Sequence, residues 1–89
     1  MAVSQAQIDK IVSVAKAYGA TRVILFGSSV ESPQKANDLD LACDGVQGWK
    51  LYELASRLEE DLQTTLDIVP LTPPTRFSRL IQARGKILL

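Results

Sequence analysis

No histidine occurs anywhere in this sequence, and cysteine occurs once, as Cys43. Without imidazole there is no Ser-His-Asp triad, no histidine acid–base chemistry and no imidazole metal site. A single thiol excludes an internal disulfide and a thiolate zinc cluster. Any metal must then be held by carboxylates, which select a hard cation. Charge of one sign is not in excess either, since ten Lys and Arg balance ten Asp and Glu. No global field draws nucleic acid or an anionic membrane, so neither is expected as a partner. Apolar runs fall short of the roughly 20 residues of a membrane span, and the N-terminus carries no apolar signal core. The cytoplasm is the default compartment.

What is present fits a small globular protein. The 89 residues are 46% hydrophobic, and they read as one domain, 1–89, near the lower end of what buries its own core. Neutrality and small size favour a complex or an oligomer over a lone monomer. Ser4 with Gln7 fits a capping box, and Ile8, Ile11, Val12, Ala15 and Tyr18 recur at helical spacing up to a stop at Gly19. A strand follows over Arg22 to Phe26, then a helical turn over Ser28 to Glu31 ended by Pro33, and a polar loop over Gln34 to Asn37. The second strand runs from Asp38 to Cys43, closed by the turn dipeptide Asp44-Gly45. Leu51, Leu54, Ala55, Leu58 and Leu62 form one stripe of a helix over Gly48 to Leu62. Leu66 to Leu71 reads as a third strand, and Thr72-Pro73-Pro74 opens a last helix with Phe77, Leu80 and Ile81 as its apolar face and Gly85 at C′. Lys86 to Leu89 adds a short strand or covers the core. This order predicts a mixed α/β (α+β) domain, a small mixed sheet with helices packed on it.

The chemistry concentrates at two places. An apolar strand ends in Gly27-Ser28, and ten residues later Asp38-Leu39-Asp40-Leu41 carries two carboxylates at i, i+2 spacing. Strand side chains alternate between faces, so Asp38 and Asp40 point the same way. Two adjacent anions are costly without a cation between them, and Mg²⁺ is the usual oxygen-seeking candidate. Gly27-Ser28 offers backbone N–H groups and a hydroxyl to phosphate, although a glycine there can equally serve only to turn the chain. No Gly-Lys-Ser/Thr follows, so this is not a Walker A loop, nor does it form a G-x-G-x-x-G fingerprint. Asp38 and Asp40 read equally as the polar end of a loop and a solvent-facing edge, were they not embedded among Leu39, Leu41 and Ala42. Asp67, in the apolar run Leu66-Asp67-Ile68-Val69, calls for a partner and would join the pair if its strand lay beside the second one. Three carboxylates suit in-line nucleotidyl transfer, with two metals about 3.5–4 Å apart holding the triphosphate and one carboxylate accepting the attacking hydroxyl's proton.

Together, Leu25-Phe26-Gly27-Ser28, Asn37-Asp38-Leu39-Asp40-Leu41 and Leu66-Asp67-Ile68-Val69 resemble the DNA polymerase beta-type nucleotidyltransferase superfamily, and within it the minimal nucleotidyltransferases. The similarity extends to the tail with Pro73, Pro74, Phe77, Ile81, Gly85 and Ile87-Leu88-Leu89. It implies that Asp38, Asp40 and Asp67 bind Mg²⁺, two ions with bound nucleotide, and that Gly27 and Ser28 contact the β- and γ-phosphates of ATP or another nucleoside triphosphate. It also implies a HEPN-domain protein partner. Family members paired with a HEPN toxin are antitoxins, some of which transfer AMP from ATP to a tyrosine of the toxin.

The sequence departs from the family pattern just after Gly27-Ser28. The family commonly has a basic residue next and a further glycine, where this chain has Ser29 and Glu31-Ser32 in a loop one residue short. An acid near a triphosphate opposes binding. Three readings therefore compete: an adenylylating enzyme, a binding module that neutralises its partner by contact, and a small-molecule nucleotidyltransferase that this short chain leaves without a second domain for an acceptor pocket. Arg76, Arg79, Arg84 and Lys86, with no acid among them, form either a solvated helix face or a docking surface for an acidic partner, triphosphate or RNA. Phe26 and Phe77 are expected in the core, and Trp49 at an exposed helix start.

Overall fold

A computed structural model of the chain describes residues 3–27, 30 and 38–89. Among them the order is α1 (Gln5–Ala17), β1 (Arg22–Phe26), β2 (Leu39–Asp44), α2 (Lys50–Leu62), β3 (Leu66–Pro70), α3 (Arg76–Arg84) and β4 (Lys86–Ile87). The strands form one mixed sheet in the order β3-β2-β1-β4. β1 pairs antiparallel with both β2 and β4, and β2 pairs parallel with β3 across the α2 crossover. The expected architecture of a small mixed sheet with helices is the one observed. The helical turn expected over Ser28 to Glu31 and the loop over Gln34 to Asn37 lie outside the described residues, apart from Val30.

Strand alternation divides the core into two. Val23, Leu25, Leu39, Leu41, Cys43 and Leu66 face α1 and α2, whose buried Ile11, Val14, Ala15, Leu54 and Leu58 complete that layer. Ile24 and Ala42 turn to the opposite face and meet Leu71 and Ile81. Fully burying a Leu or Ile contributes roughly 1.5–3 kcal/mol, so the larger α1/α2 layer dominates the stability. Leu58, with no exposed area, is a single point of failure, since Leu→Ala at such a site costs about 2–5 kcal/mol.

The helix ends follow their local chemistry. The Ser4 hydroxyl accepts from Gln7 N–H at 3.2 Å while Ser4 N–H donates to Gln7 Oε1 at 2.9 Å, closing the expected capping box. α2 begins at Lys50 rather than Gly48, with Trp49 as an N-cap lacking a side-chain bond and 66% exposed.

The C-terminal quarter corrects several expectations. Pro73 and Pro74 do not start the last helix: a cis Thr72–Pro73 bond and an extended Thr75 precede it, and Thr75 caps α3 through a reciprocal pair with Ser78. The buried face of α3 is Ser78 and Ile81, whereas Leu80 is 49% and Phe77 53% exposed. A nine-residue helix lying over only part of the sheet cannot cover all three apolar side chains that helical spacing brings to one side. Gly85 does not serve as a left-handed C′ residue, for its φ is −76°. It is small because a Cβ there would strike the Ile24 side chain and come within 2.7 Å of the Ile81 carbonyl oxygen. The expected final strand forms, as β4 over Lys86–Ile87, and Leu88 and Leu89 continue past it to exchange backbone bonds with Val23.

Candidate active site

β1 ends at Phe26, and Gly27 follows with φ +73°, a left-handed conformation that glycine adopts without steric cost. Its carbonyl accepts from Val30 N–H at 3.0 Å, so the chain turns sharply at the end of the strand. A Cβ at position 27 would lie 2.6 Å from Asp40 Oδ2. The glycine therefore serves both the turn and the close approach of a carboxylate. Ser28, expected beside it on phosphate, lies outside the described residues.

Register brings the acids together. Asp40 stands opposite Phe26 on one side and opposite Asp67 on the other, so Phe26, Asp40 and Asp67 form a row across β1, β2 and β3. Even-numbered side chains of β2 point away from the α1/α2 layer, as does Asp67, which alternates with core-facing Leu66 and Ile68. Asp38, exposed in the bend just before β2, is near enough for its charge to act on Asp40. The Asp40 carboxyl is held above its ordinary value of 3.8, first by burial, then by the charges of Asp67 and Asp38.

Asp67 is not a buried charge, as its apolar neighbours suggested. β3 is an edge strand and Asp67 is exposed, so its carboxylate is hydrated where it stands. Among the described residues, no three acidic or thiol side chains converge closely enough to ligate one ion. The donor set nonetheless fits a hard divalent cation in kind, being all carboxylate oxygen with Asp40 flanked by two like charges. Burial pushes the Cys43 thiol up to about 11, so it adds no thiolate ligand.

Aromatic side chains border the acidic row. Phe77 of α3 meets Phe26 edge-on, with ring centroids 5.7 Å apart and planes at 83°. Half-exposed, it forms an apolar wall beside Asp40 that helical periodicity assigned to the core. Arg76, Arg79, Arg84 and Lys86 are exposed. Arg22 reaches Gln82 Oε1 at 3.0 Å, at the far end of β1 from Gly27. An open groove of about 860 Å³ runs between α2 and β3, with Asp67, Tyr52 and Glu59 among its lining residues. Sequence reasoning missed it; its one signal was an aromatic residue, Tyr52, next to the apolar stripe of α2.

No protein-family model matches the chain, and no curated protein matches it. Solved structures do. One assigned to the minimal nucleotidyltransferases is 27% identical, with a TM-score of 0.74 over 91% of this chain and 88% of that one. The chain has the minimal nucleotidyltransferase fold. A chain from a toxin–antitoxin structure with AMP-PNP is 25% identical, with a TM-score of 0.78 over 92% of this chain and 72% of that one. A chain from the Shewanella oneidensis complex between tri-AMPylated HEPN toxin and MNT antitoxin is 22% identical, with a TM-score of 0.75 over 96% and 71%. On the minimal nucleotidyltransferase fold of this chain, Asp40, Asp67 and Gly27 share one end of the sheet, and no described helix is long and apolar enough to cross a membrane.

Proposed function

We propose that this minimal nucleotidyltransferase domain is a Mg²⁺-dependent antitoxin that transfers AMP from ATP to a tyrosine of a HEPN-type toxin. The observation that carries the reading is the Asp40–Asp67 pairing across β2 and β3, with Gly27 closed against Asp40. Two structural neighbours add support, one described with AMP-PNP and one with a tri-AMPylated HEPN toxin. Mg²⁺, when bound, would neutralise the triphosphate and the developing charge on pyrophosphate. Asp38 and Asp40 would hold the cation, with Asp67 completing the set once a cation offsets their repulsion.

The remaining work belongs to the chain's own residues. Gly27, and with it Ser28, would present N–H groups to the β- and γ-phosphates, Gly27 having no side chain of its own to obstruct them. Asp67, exposed beside Asp40, would take the proton from the acceptor hydroxyl as its oxygen bonds to the α-phosphorus and pyrophosphate departs. Phe26 and Phe77 would exclude water from one flank. The test is incubation of the purified protein with its cognate HEPN partner, ATP and Mg²⁺, with intact mass spectrometry of the partner. A mass increase of one or more AMP groups supports the reading, and an unmodified partner under all conditions removes it.

One observation favours contact alone. The carboxylates do not converge on one point among the described residues. A non-catalytic module that neutralises its HEPN partner by docking would leave the partner's mass unchanged while still suppressing its activity.

A further inference from the structure

β3 is an edge strand, and its backbone phase is fixed. Leu39 N–H donates to the Thr65 carbonyl at 3.0 Å and Leu71 N–H to the Cys43 carbonyl at 2.9 Å. In a parallel pair both backbone groups of a residue point to the same neighbour, alternately along the strand. Thr65, Asp67, Val69 and Leu71 therefore turn their backbone toward β2, and Leu66, Ile68 and Pro70 turn theirs outward. Pro70 suits this phase, because its missing N–H falls on the open edge. Leu66 and Ile68 retain both groups, which makes the edge a template for another extended chain.

This edge opens onto the groove of about 860 Å³ between β3 and α2. Its lining carries three acids, Asp44, Glu59 and Asp67, and no Lys or Arg. Asp44 is already engaged, accepting from the Thr72 hydroxyl at 2.9 Å and from Gly45 N–H. Tyr52, 80% exposed, stands on the α2 side. A groove with a pairing edge, an aromatic wall and only negative charge is complementary to an extended, basic polypeptide segment.

We propose that β3 and α2 dock an extended basic segment of the acceptor protein as an added strand, and that this strand delivers the acceptor hydroxyl to Asp67. The inference rests on the nucleotidyl-transfer reading for the acceptor's fate, but the docking stands on its own geometry. Alternation along the added strand assigns its side chains. Those on the α2 side are apolar and pack beside Tyr52, and those on the other side carry the acceptor hydroxyl flanked by Lys or Arg facing Asp67 and Asp44. β3 spans five residues, so the docked segment is about five residues long at roughly 3.3 Å per residue.

The probe is an acetylated, amidated pentapeptide, Lys-Val-Tyr-Val-Lys, titrated into ¹⁵N-labelled protein without nucleotide. Amide shifts should be largest at Leu66 and Ile68. The counterpart Glu-Val-Tyr-Val-Glu should bind at least about 10-fold more weakly, and the difference should shrink as salt rises. N-methylation of the two peptide nitrogens that face β3 should abolish the shifts, while methylation of the outward nitrogens should spare them. Glu59→Lys and Tyr52→Ala, both at exposed positions, should each weaken the basic peptide severalfold and slow transfer to the whole partner through KM. Equal binding of the acidic and basic peptides, shifts confined to α3, or a β3-to-β3 dimer in sedimentation would each overturn the docking. Should the two variants modify the partner at the wild-type rate, the groove is not the acceptor's path, although nucleotidyl transfer stands. Should transfer never occur while the peptides still bind as described, the docking stands and the enzymatic reading fails.

Discussion

Gly27 and Asp40 occupy space that only one side chain can fill: a Cβ on residue 27 would lie 2.6 Å from Asp40 Oδ2. The turn that ends β1 and the carboxylate of β2 are thus set by one contact. Gly27→Ala faces two separate costs, a φ of +73° and the collision with Asp40. Together they should destabilise the protein by about 1–3 kcal/mol. Asp40→Ala in the same chain removes the collision but not the backbone strain. A double-mutant cycle by urea unfolding should therefore show the pair less destabilised than the sum of the singles. Strict additivity would mean that Asp40 moves aside without cost.

Asp40 should make stability depend on pH in an unusual direction for a carboxylate. Its folded pKa is raised above the ordinary value of 3.8, so between those two values the folded state binds more protons than the unfolded one. Stability from this group is then greatest below 3.8 and is lost as pH rises through the folded pKa. Asp40→Asn should remove that fall and stabilise the metal-free protein near neutrality, as read from Tm against pH in the presence of a chelator. The opposite slope in wild type would show that Asp40 has gained a cationic partner.

The same shift sets the pH dependence of a bound divalent ion. Mg²⁺ competes with the proton for the Asp40 carboxylate, so affinity for Mg-ATP should rise with pH through the raised pKa and level off above it. Asp38→Asn and Asp40→Asn should each abolish that binding while the fold persists. Calorimetric titration that finds either variant as tight as wild type removes the metal assignment.

Much of this site is legible in the sequence because its geometry follows from alternation. The direction of Asp40 and of the lone acid in Leu66-Asp67-Ile68 depends only on strand alternation, and the parallel register aligns the two. Asp38, expected to open the second strand, instead lies in the bend before β2, where strand pitch does not fix its direction. What escapes the sequence depends on how far each element reaches. Phe77 and Leu80 have core-like periodicity, yet α3 turns Ser78 and Ile81 inward and leaves both half-exposed. Gly85 has the identity of a helix stop but is required by Ile24, sixty-one positions earlier in the chain. The outward phase of Leu66 and Ile68 cannot be read before the neighbour of β3 is known.

Gly85→Ala tests that long-range requirement. The added methyl would enter space held by the Ile24 side chain and the Ile81 and Leu25 carbonyl oxygens, two of them rigid backbone. Overpacking of this kind costs about 1–3 kcal/mol, and here it should fall mostly on β4. Hydrogen exchange should quicken at Ile87 and Leu88 more than at Leu41. A uniform loss of protection would mean that β4 and the central strands unfold as one unit.

Asp67→Asn separates chemistry from binding. Asp67 is exposed on the edge strand beside Asp40. If it is the general base, its amide variant keeps much of its Mg-ATP affinity, because Asp38 and Asp40 still hold the cation. Transfer of AMP to the partner should fall by at least about 10²-fold, the usual scale for losing such a base. The fall should appear in kcat, whereas Tyr52→Ala acts through KM, so the two variants distinguish proton removal from acceptor docking. Neutralisation of the toxin in cells supplies the second readout. Where Asp67→Asn abolishes labelling and growth rescue together, the antitoxin works by catalysis. Where labelling disappears and rescue persists, docking alone silences the partner, and Asp67 serves a reaction that neutralisation does not need.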